Sequence, residues 1–221
     1  MKSKRLCFAA IIPAFNEAKR IGAVIEEAKK YVPLLIVIDD GSDDKTSQVA
    51  EKAGALVLRH RLNLGKGAAM TTGASAAFLL GAEAIIYLDA DGQHDPKQIP
   101  AFIDELQQGK EIVFGKRDLS NNMPIVRLLG NRFAASLINF CFGIYRPDML
   151  CGFFALTKEA YEKVRWDSAR YGVETEIVAR TGRSKIKYGE VPVETIYIDK
   201  YKGVTIFDAL GVLFNIPRWF F

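Results

Sequence analysis

The sequence predicts a three-layer α/β/α fold on a mostly parallel sheet, and three observations predict it. Short apolar runs alternate with segments of helical periodicity through the first half of the chain. Successive apolar runs end in polar clusters, as strands do where a parallel sheet turns its carboxyl edge toward a ligand crevice. With 221 residues, 49% of them hydrophobic, the chain has enough apolar side chains for a core on both sheet faces.

The run over residues 6–12 reads as the first strand. Asn16 is a candidate cap for the helix in which Ile21, Val24, Ile25 and Ala28 recur at helical spacing. Residues 34–38 form a second strand, followed by Asp39-Asp40-Gly41-Ser42 and a short helix that stops near Gly54. A third strand over 55–58 precedes a helix of small residues over about 65–80. The fourth strand, 84–88, ends abruptly at Asp89. A helix over 97–108 and a strand over 111–115 complete the regular half. Beyond it, 126–142 reads as an amphipathic helix, 153–156 as a strand and 173–180 as a helix. Strand segments over 186–197 are interrupted by Pro192.

Nothing in the composition marks a linker or repeat, so the reading is one domain, residues 1–202, with an appendage over 203–221. In 204–221, Asp208, Gly211, Asn215 and Arg218 fall on one narrow helical face, and aromatic and aliphatic residues cover most of the rest. Such a segment packs on its own domain, on another subunit in a homo-oligomer, or in a membrane interface. No apolar run reaches transmembrane length, so the expectation is peripheral contact. A net charge of +4 is too small to argue for a nucleic-acid partner, yet suits a phosphate-bearing ligand or an anionic membrane surface. The three cysteines lack metal-ligand spacing and suit a reducing cytosolic setting. The basic residues at the start are not followed by a signal-peptide pattern.

The chemistry sits at four strand ends. Pro13-Ala14-Phe15-Asn16-Glu17 follows the first strand and Asp39-Asp40-Gly41-Ser42-Asp43-Asp44 the second. Asn63-Leu64-Gly65-Lys66-Gly67 places a glycine-flanked lysine at a helix N-terminus, where backbone N–H groups and one cation favour an anion. Asp89-Ala90-Asp91-Gly92-Gln93 delivers two hard oxygen donors one residue apart, a pair suited to Mg²⁺ or Mn²⁺ bridged to nucleotide phosphates. Each cluster also has a plain structural reading: Asp43 or Asp44 as a helix cap, Gly65 and Gly67 as glycines for close helix–sheet packing, Asp89 and Asp91 as turn residues. His94 fits a turn or a supporting position, His60 has no evident role, and Cys141 and Cys151 fit the core.

The strings IIPAFNEAKRIG, VIDDGSDDKT, NLGKGAA and YLDADGQHDP, in this order over residues 11–96, resemble the motifs of the family 2 inverting glycosyltransferases of the nucleotide-diphospho-sugar (GT-A) fold, and with the later segments the resemblance covers nearly the whole chain. GKR at 115–117, DMLCGFFALTKEAY from Asp148 and EVPVETIY from Glu190 resemble the branch that glycosylates polyprenyl phosphates, including dolichyl-phosphate mannosyl- and glucosyltransferases. The resemblance implies that Pro13, Phe15, Glu17, Val37 and Asp39 line the nucleoside pocket, with Asp39 reaching base or ribose and Ala90 beside the nucleotide. Phe15 stands where the family usually has tyrosine. Asp89 and Asp91 would hold the metal and diphosphate, with Gln93 as a further ligand or partner, and Mg²⁺ or Mn²⁺ as the cofactor. Asp91 and Arg117 would be the catalytic residues. Arg117 would bind the diphosphate or the acceptor phosphate, and Arg132 with Ser136 would meet the acceptor phosphate from the following helix. Lys200 and Lys202 stand near where mannosyl members carry an arginine and a Ser-Lys pair, and supply point charges instead of a bidentate fork.

The implied function is metal-dependent, inverting transfer of a mannose- or glucose-type hexose from a GDP- or UDP-linked sugar to a polyprenyl or dolichyl phosphate, at the cytoplasmic face of a membrane. Transfer to a sugar hydroxyl is the alternative within enzymes; Glu174 or Glu176 would then be the base. A nucleotidyltransferase would want a glycine- and arginine-rich loop after the first strand, which PAFNEAKR lacks. A non-catalytic nucleotide-sugar binding module is disfavoured by the intact pair Asp89 and Asp91.

Overall fold

The computed structural model describes residues 6–118, 125–170, 172–194 and 216–220, with 125–130, 217 and 220 described by backbone alone. Among the described residues seven strands form one sheet: β1 (Phe8–Ala14), β2 (Leu34–Asp39), β3 (Leu56–Arg59), β4 (Ala84–Tyr87), β5 (Ile112–Arg117), β6 (Phe154–Thr157) and β7 (Tyr188–Val193). Their order is β3-β2-β1-β4-β6-β5-β7, and all neighbours are parallel except β6, which runs antiparallel to β4 and β5.

Strand periodicity sorts the core into two layers. Ala9, Ile11, Ile36, Ile38, Ile85 and Tyr87 enter one cluster, while Ala10, Ile12, Leu35, Val37, Ala84 and Ile86 enter the other. Burial on both faces is why these strands read as continuous apolar runs. Helices α1 (Ile21–Ala28), α2 (Thr46–Lys52) and α4 (Ile99–Gln107) cover the second cluster. Helices α3 (Lys66–Leu79), α5 (Ile125–Phe142), α6 (Lys158–Val164) and α7 (Val173–Arg183) cover the first. The three-layer expectation holds. The small residues of α3 let it lie close to the sheet: a Cβ on Gly73 would sit 2.4 Å from the Ile11 side chain.

Three local expectations change, and one helix appears where none was expected. Asn16 does not cap α1, whose N-cap is Arg20; it takes φ +57 in the turn after β1 instead. Seven residues after β6 fold into α6, capped by Thr157 Oγ1, which accepts from Ala160 N at 3.1 Å. Pro192 does not break the last strand, because β7 lies at the sheet edge, where a missing N–H costs no ladder bond. At the chain end, residues 216–220 form a 3₁₀ turn on α7, with Ile216 and Trp219 buried in the domain core and Arg183 Nη1 donating to Trp219 O at 3.2 Å. Those two side chains therefore face the protein and not a bilayer. The rest of the expected 204–221 helix lies outside the described residues, as do Lys200 and Lys202.

Candidate active site

The sheet places the site. From β1 the chain winds outward through β2 and β3, then returns to lay β4 on the other side of β1, so the crevice of this sheet opens beyond the carboxyl ends of β1 and β4. Because β6 is antiparallel, with Phe154 opposite Tyr87 and Phe114, its lead-in residues 148–153 reach that same edge. One reversed strand thus brings a second polypeptide segment to the aspartates. Periodicity gives no sign of strand direction, so the sequence could not show this.

The loops after β1 and β2 are laced together. Asn16 N donates to Ser42 Oγ at 2.9 Å, Asp43 N to Asn16 Oδ1 at 2.9 Å, and Glu17 N to Thr46 Oγ1 at 2.9 Å. Asp39 is buried inside this lacing. Its Oδ1 accepts from Ser42 N at 2.8 Å, and its Oδ2 accepts from Ser47 Oγ and lies 3.6 Å from Arg59 Nε. Arg59, half exposed, also donates to Ser42 O at 2.7 Å and presents a cation at this rim that sequence reasoning passed over. Asp44 acts at the start of α2, accepting from Thr46 N at 2.9 Å and from Ala18 N at 3.1 Å.

Asp40 carries the lacing to the third cluster. It accepts from Leu64 N at 2.9 Å and Gly65 N at 2.7 Å, and its Oδ1 lies 2.7 Å from His60 Nδ1. His60 Nε2 in turn lies 3.0 Å from Thr72 Oγ1 on α3, so His60 ties the turn before α3 to the helix itself. Gly65 has φ +101, and a Cβ there would meet Ala169 O at 2.5 Å; on Gly67 it would meet Ser168 O at 1.9 Å. The two glycines thus serve a close approach to the loop before α7, not to the sheet. Trp166 Nε1 donates to Gly67 O at 3.0 Å and Ala68 N to Ala169 O at 3.1 Å across that contact.

This scaffold aims Lys66 at the aspartates. Its Nζ lies 2.5 Å from Asp89 Oδ1 and 2.7 Å from Glu174 Oε1. His94, buried against the Phe153 ring, lies with Nε2 3.7 Å from Asp89 Oδ2, while its buried Nδ1 has no hydrogen-bond partner among the described residues. A Cβ on Gly152 would fall 2.3 Å from Asp89 Oδ2, so only glycine leaves room for this carboxylate. Burial opposes the charge on Asp89, but Lys66 and then His94 outweigh it and hold the carboxyl well below the usual range. Burial likewise opposes the charge on Lys66, and Asp89 and Glu174 raise it above the ordinary lysine value.

Arg117, at the end of β5, is gripped by Asp148. Its backbone N donates to Asp148 Oδ2 at 2.9 Å, Nη2 donates to Oδ1 at 2.6 Å, and Nε lies 3.0 Å from Oδ2. Burial works against the guanidinium, and the Asp148 contact raises it above the usual arginine value. Behind this pair lies Arg146, only 2% exposed, which donates to Asp148 O and Gly115 O at 3.1 Å each and to Glu190 Oε1 at 2.7 Å, and covers the Phe114 ring at 4.2 Å. Neither Asp148 nor Arg146 was singled out from sequence. The signal available was two charged residues in an otherwise apolar stretch.

The remaining residues divide cleanly. Glu176 is buried and structural: it accepts from Asp167 N and Ser168 N at 3.0 Å each and from Arg180 Nε at 2.8 Å, fixing the loop that backs Gly65 and Gly67. Val37 and Ala90 are buried in the core beneath the crevice, Pro13 and Glu17 are half-buried and Phe15 is exposed at its rim. Arg132 and Ser136 lie exposed on α5, with Ser136 Oγ donating to Arg132 O at 2.9 Å. Cys151 is buried, its thiol pushed up to about 12 by burial and by Asp148, which suits a core residue and not a nucleophile. Glu176→Ala is expected to destabilise the protein by about 2–3 kcal/mol, because it leaves two backbone donors without their acceptor and takes from Arg180 one of its two carboxylate partners, Asp167 remaining. Chemical denaturation measures this. A loss of turnover with unchanged stability would instead make Glu176 part of the chemistry.

Do these residues suit a divalent cation? Asp91 is half-buried, with Oδ1 accepting from Gln93 N at 3.0 Å, and Asp89 is held ionised. Among the described residues no group of three or more His, Cys, Asp or Glu side chains forms a metal cage. Two carboxylates without a cage suit Mg²⁺ or Mn²⁺, which complete their shells with water and substrate phosphate. The donor set fits.

The glycosyl transferase family 2 pattern matches residues 9–165. An uncharacterised protein of Methanocaldococcus jannaschii is 37% identical, over 93% of this chain and 89% of its own. The UDP-N-acetylglucosamine–dolichyl-phosphate N-acetylglucosaminyltransferase of Methanococcus voltae is 32% identical over 86% of this chain and 85% of its own. Among solved structures, glucosyl-3-phosphoglycerate synthase of Mycobacterium tuberculosis, in complex with Mn²⁺, UDP and glucosyl-3-phosphoglycerate, superposes with a TM-score of 0.74. That match is 20% identical and covers 97% of this chain and 80% of the other. Motifs, topology and relatives agree: the chain belongs to glycosyl transferase family 2 and is similar over most of its length to a dolichyl-phosphate glycosyltransferase.

Proposed function

We propose that this glycosyltransferase moves a hexose from a nucleotide sugar to a polyprenyl phosphate by a single inverting displacement. The observation that carries the phosphate acceptor is the state of the two candidate bases. Glu174 is engaged by Lys66, and Glu176 by two backbone donors and Arg180. A hydroxyl acceptor needs a free base, whereas a phosphate monoester is largely ionised near neutral pH and attacks without one. The dolichyl-phosphate acceptor of the Methanococcus voltae relative supports the same reading.

Asp89 and Asp91, with Gln93 beside them, are the residues to hold Mg²⁺ or Mn²⁺, as the Mn²⁺ and UDP of the mycobacterial structure also suggest. Such a cation supplies charge neutralisation for the departing nucleoside diphosphate. Arg117, oriented by Asp148, screens the two anions that must approach each other. Pro13, Phe15, Glu17 and Asp39 form or support the nucleoside end of the crevice, with Arg59 at its rim.

Peripheral membrane contact fits α5, where Phe133 is 66% and Phe140 89% exposed, two turns apart, with Arg132 exposed beside them. Among the described residues no helix is long and apolar enough to cross a membrane. In a panel of UDP- and GDP-sugars with Mn²⁺ and polyprenyl phosphate, one donor should yield an organic-extractable product in which the α-linked sugar has become a β-linked glycosyl phosphate. An α-linked product would contradict the single displacement.

A further inference from the structure

Arg146 puts a charge where packing alone would favour an apolar side chain. It is buried, and its Nε has no hydrogen-bond partner among the described residues. Buried ion pairs are often no more stabilising than well-packed apolar residues of similar volume, so stability gives little reason for an arginine here. What it holds in place gives a better one. Its Nη2 donates to two carbonyls at 3.1 Å, Gly115 O on β5 and Asp148 O in the segment leading to β6. Its Nη1 donates to Glu190 Oε1 on β7 at 2.7 Å. One planar fork thus ties two paired strands to segment 147–153 from behind.

The two ends of that segment are anchored differently. Toward β6, Gly115 N donates to Phe153 O at 2.8 Å, and Phe153 stacks on Phe102 with ring centroids 4.3 Å apart. Gly152 is therefore fixed against Asp89 without help from Arg146. The Asp148 end has no such support: among the described residues no backbone-to-backbone hydrogen bond holds residues 147–152. There the Asp148 carboxylate grips Arg117 while the Asp148 carbonyl rests on Arg146.

We infer that Arg146 is the positioning residue for Arg117: by holding the Asp148 carbonyl it sets the carboxylate that aims the Arg117 guanidinium at the acceptor phosphate. The inference rests on the phosphate-acceptor reading above. Arg146 touches no substrate and acts only through Asp148 and Arg117. A guanidinium displaced by an ångström screens two approaching anions far less well, so loosening Arg146 harms acceptor use. The donor side is spared, because the Gly152 end keeps its own anchors. Lysine at this position keeps the charge but has no fork, and cannot hold Gly115 O, Asp148 O and Glu190 together.

The test is a double-mutant cycle on acceptor titrations, with polyprenyl phosphate in detergent micelles, saturating Mn²⁺ and the labelled nucleotide sugar that the protein uses. All rates are taken below the unfolding range of each variant. Arg146→Lys should raise the apparent acceptor KM by about three- to tenfold, while Kd for the matching nucleoside diphosphate in Mn²⁺ changes by less than about twofold. In the Arg117→Ala background the same substitution should change acceptor KM by less than about twofold, because the group it positions is gone. Glu190→Ala removes one acceptor of the fork and should repeat both results at smaller size. It carries the test alone if Arg146→Lys does not fold. An effect through Lys116, the other partner of Glu190 at 3.1 Å, would survive in the Arg117→Ala background and so be told apart. An acceptor loss of equal size with and without Arg117 would overturn the inference. So would an unchanged acceptor KM in a folded variant, or a loss of nucleotide affinity as large as the acceptor loss. If the unmodified protein ignores polyprenyl phosphate and glycosylates an alcohol, the phosphate-acceptor reading falls and the inference with it, a result seen before any variant is made.

Discussion

Chelating divalent cations from the unmodified protein, or replacing Asp91 with Ala, is expected to lower turnover by about a thousandfold. The displacement ejects a nucleoside diphosphate, and the charge that gathers on it is the main barrier once donor and acceptor are side by side. Lys66 and Arg117 neutralise part of that charge, but each already has carboxylate partners: Asp89 and Glu174 for Lys66, Asp148 for Arg117. A divalent cation on Asp89 and Asp91 is the group with charge to spare. Asp89→Ala should be as damaging and less informative, since it also strips Lys66 of a partner. Steady-state rates with and without chelator check this, restored by added Mn²⁺ or Mg²⁺. Full turnover in excess chelator would remove the metal from the mechanism.

Breaking the Arg117–Asp148 pair should have the next largest effect. Asp148 is nearly buried and takes both the Arg117 backbone N and its guanidinium. Asp148→Ala therefore leaves a largely buried cation without its anion, with an expected loss of about 3–5 kcal/mol in stability. Arg117→Ala removes the cation proposed for the acceptor phosphate and should raise the apparent acceptor requirement by about tenfold or more. Arg132→Ala, on exposed α5, should also weaken acceptor use but disturb nucleotide binding less than Arg117→Ala. Acceptor titrations at saturating donor separate these effects. Small and equal changes for both arginines would move the acceptor site elsewhere.

The layers of the fold were legible because buried strands and their covering helices leave strong periodic signals, and β1, β2, β4 and α3 lie within two or three residues of where hydrophobicity puts them. The direction of β6 was not legible, and with it went the approach of Asp148 and Gly152 to the aspartates. Such juxtapositions depend on strand order, which local pattern does not encode. Motifs placed Lys66 and Asp89 near one crevice but left open that they touch. The roles of His60, Glu176 and Arg146 were hidden for a different reason. His60 and Arg146 bond to side chains and backbone groups largely distant in sequence, and Glu176, beyond its helical neighbour Arg180, bonds to the backbone of Asp167 and Ser168, so spacing carries little trace of these roles. Short helices are also weak signals, and α6 has too few turns to show a period.

An acceptor that attacks through a phosphate oxygen must be a substrate with its phosphate and inert without it, so one lipid in both forms is the decisive comparison. Polyprenyl phosphate and the matching polyprenol should be offered in equal amounts, in the same vesicles, with Mn²⁺ and the labelled nucleotide sugar that the protein uses. Label is expected in the phosphate-bearing lipid alone, because Glu174 and Glu176 are both engaged and neither is free to deprotonate an alcohol. Label on the alcohol, or on added free saccharide with polyprenyl phosphate ignored, would contradict it and return one of those glutamates to the role of base.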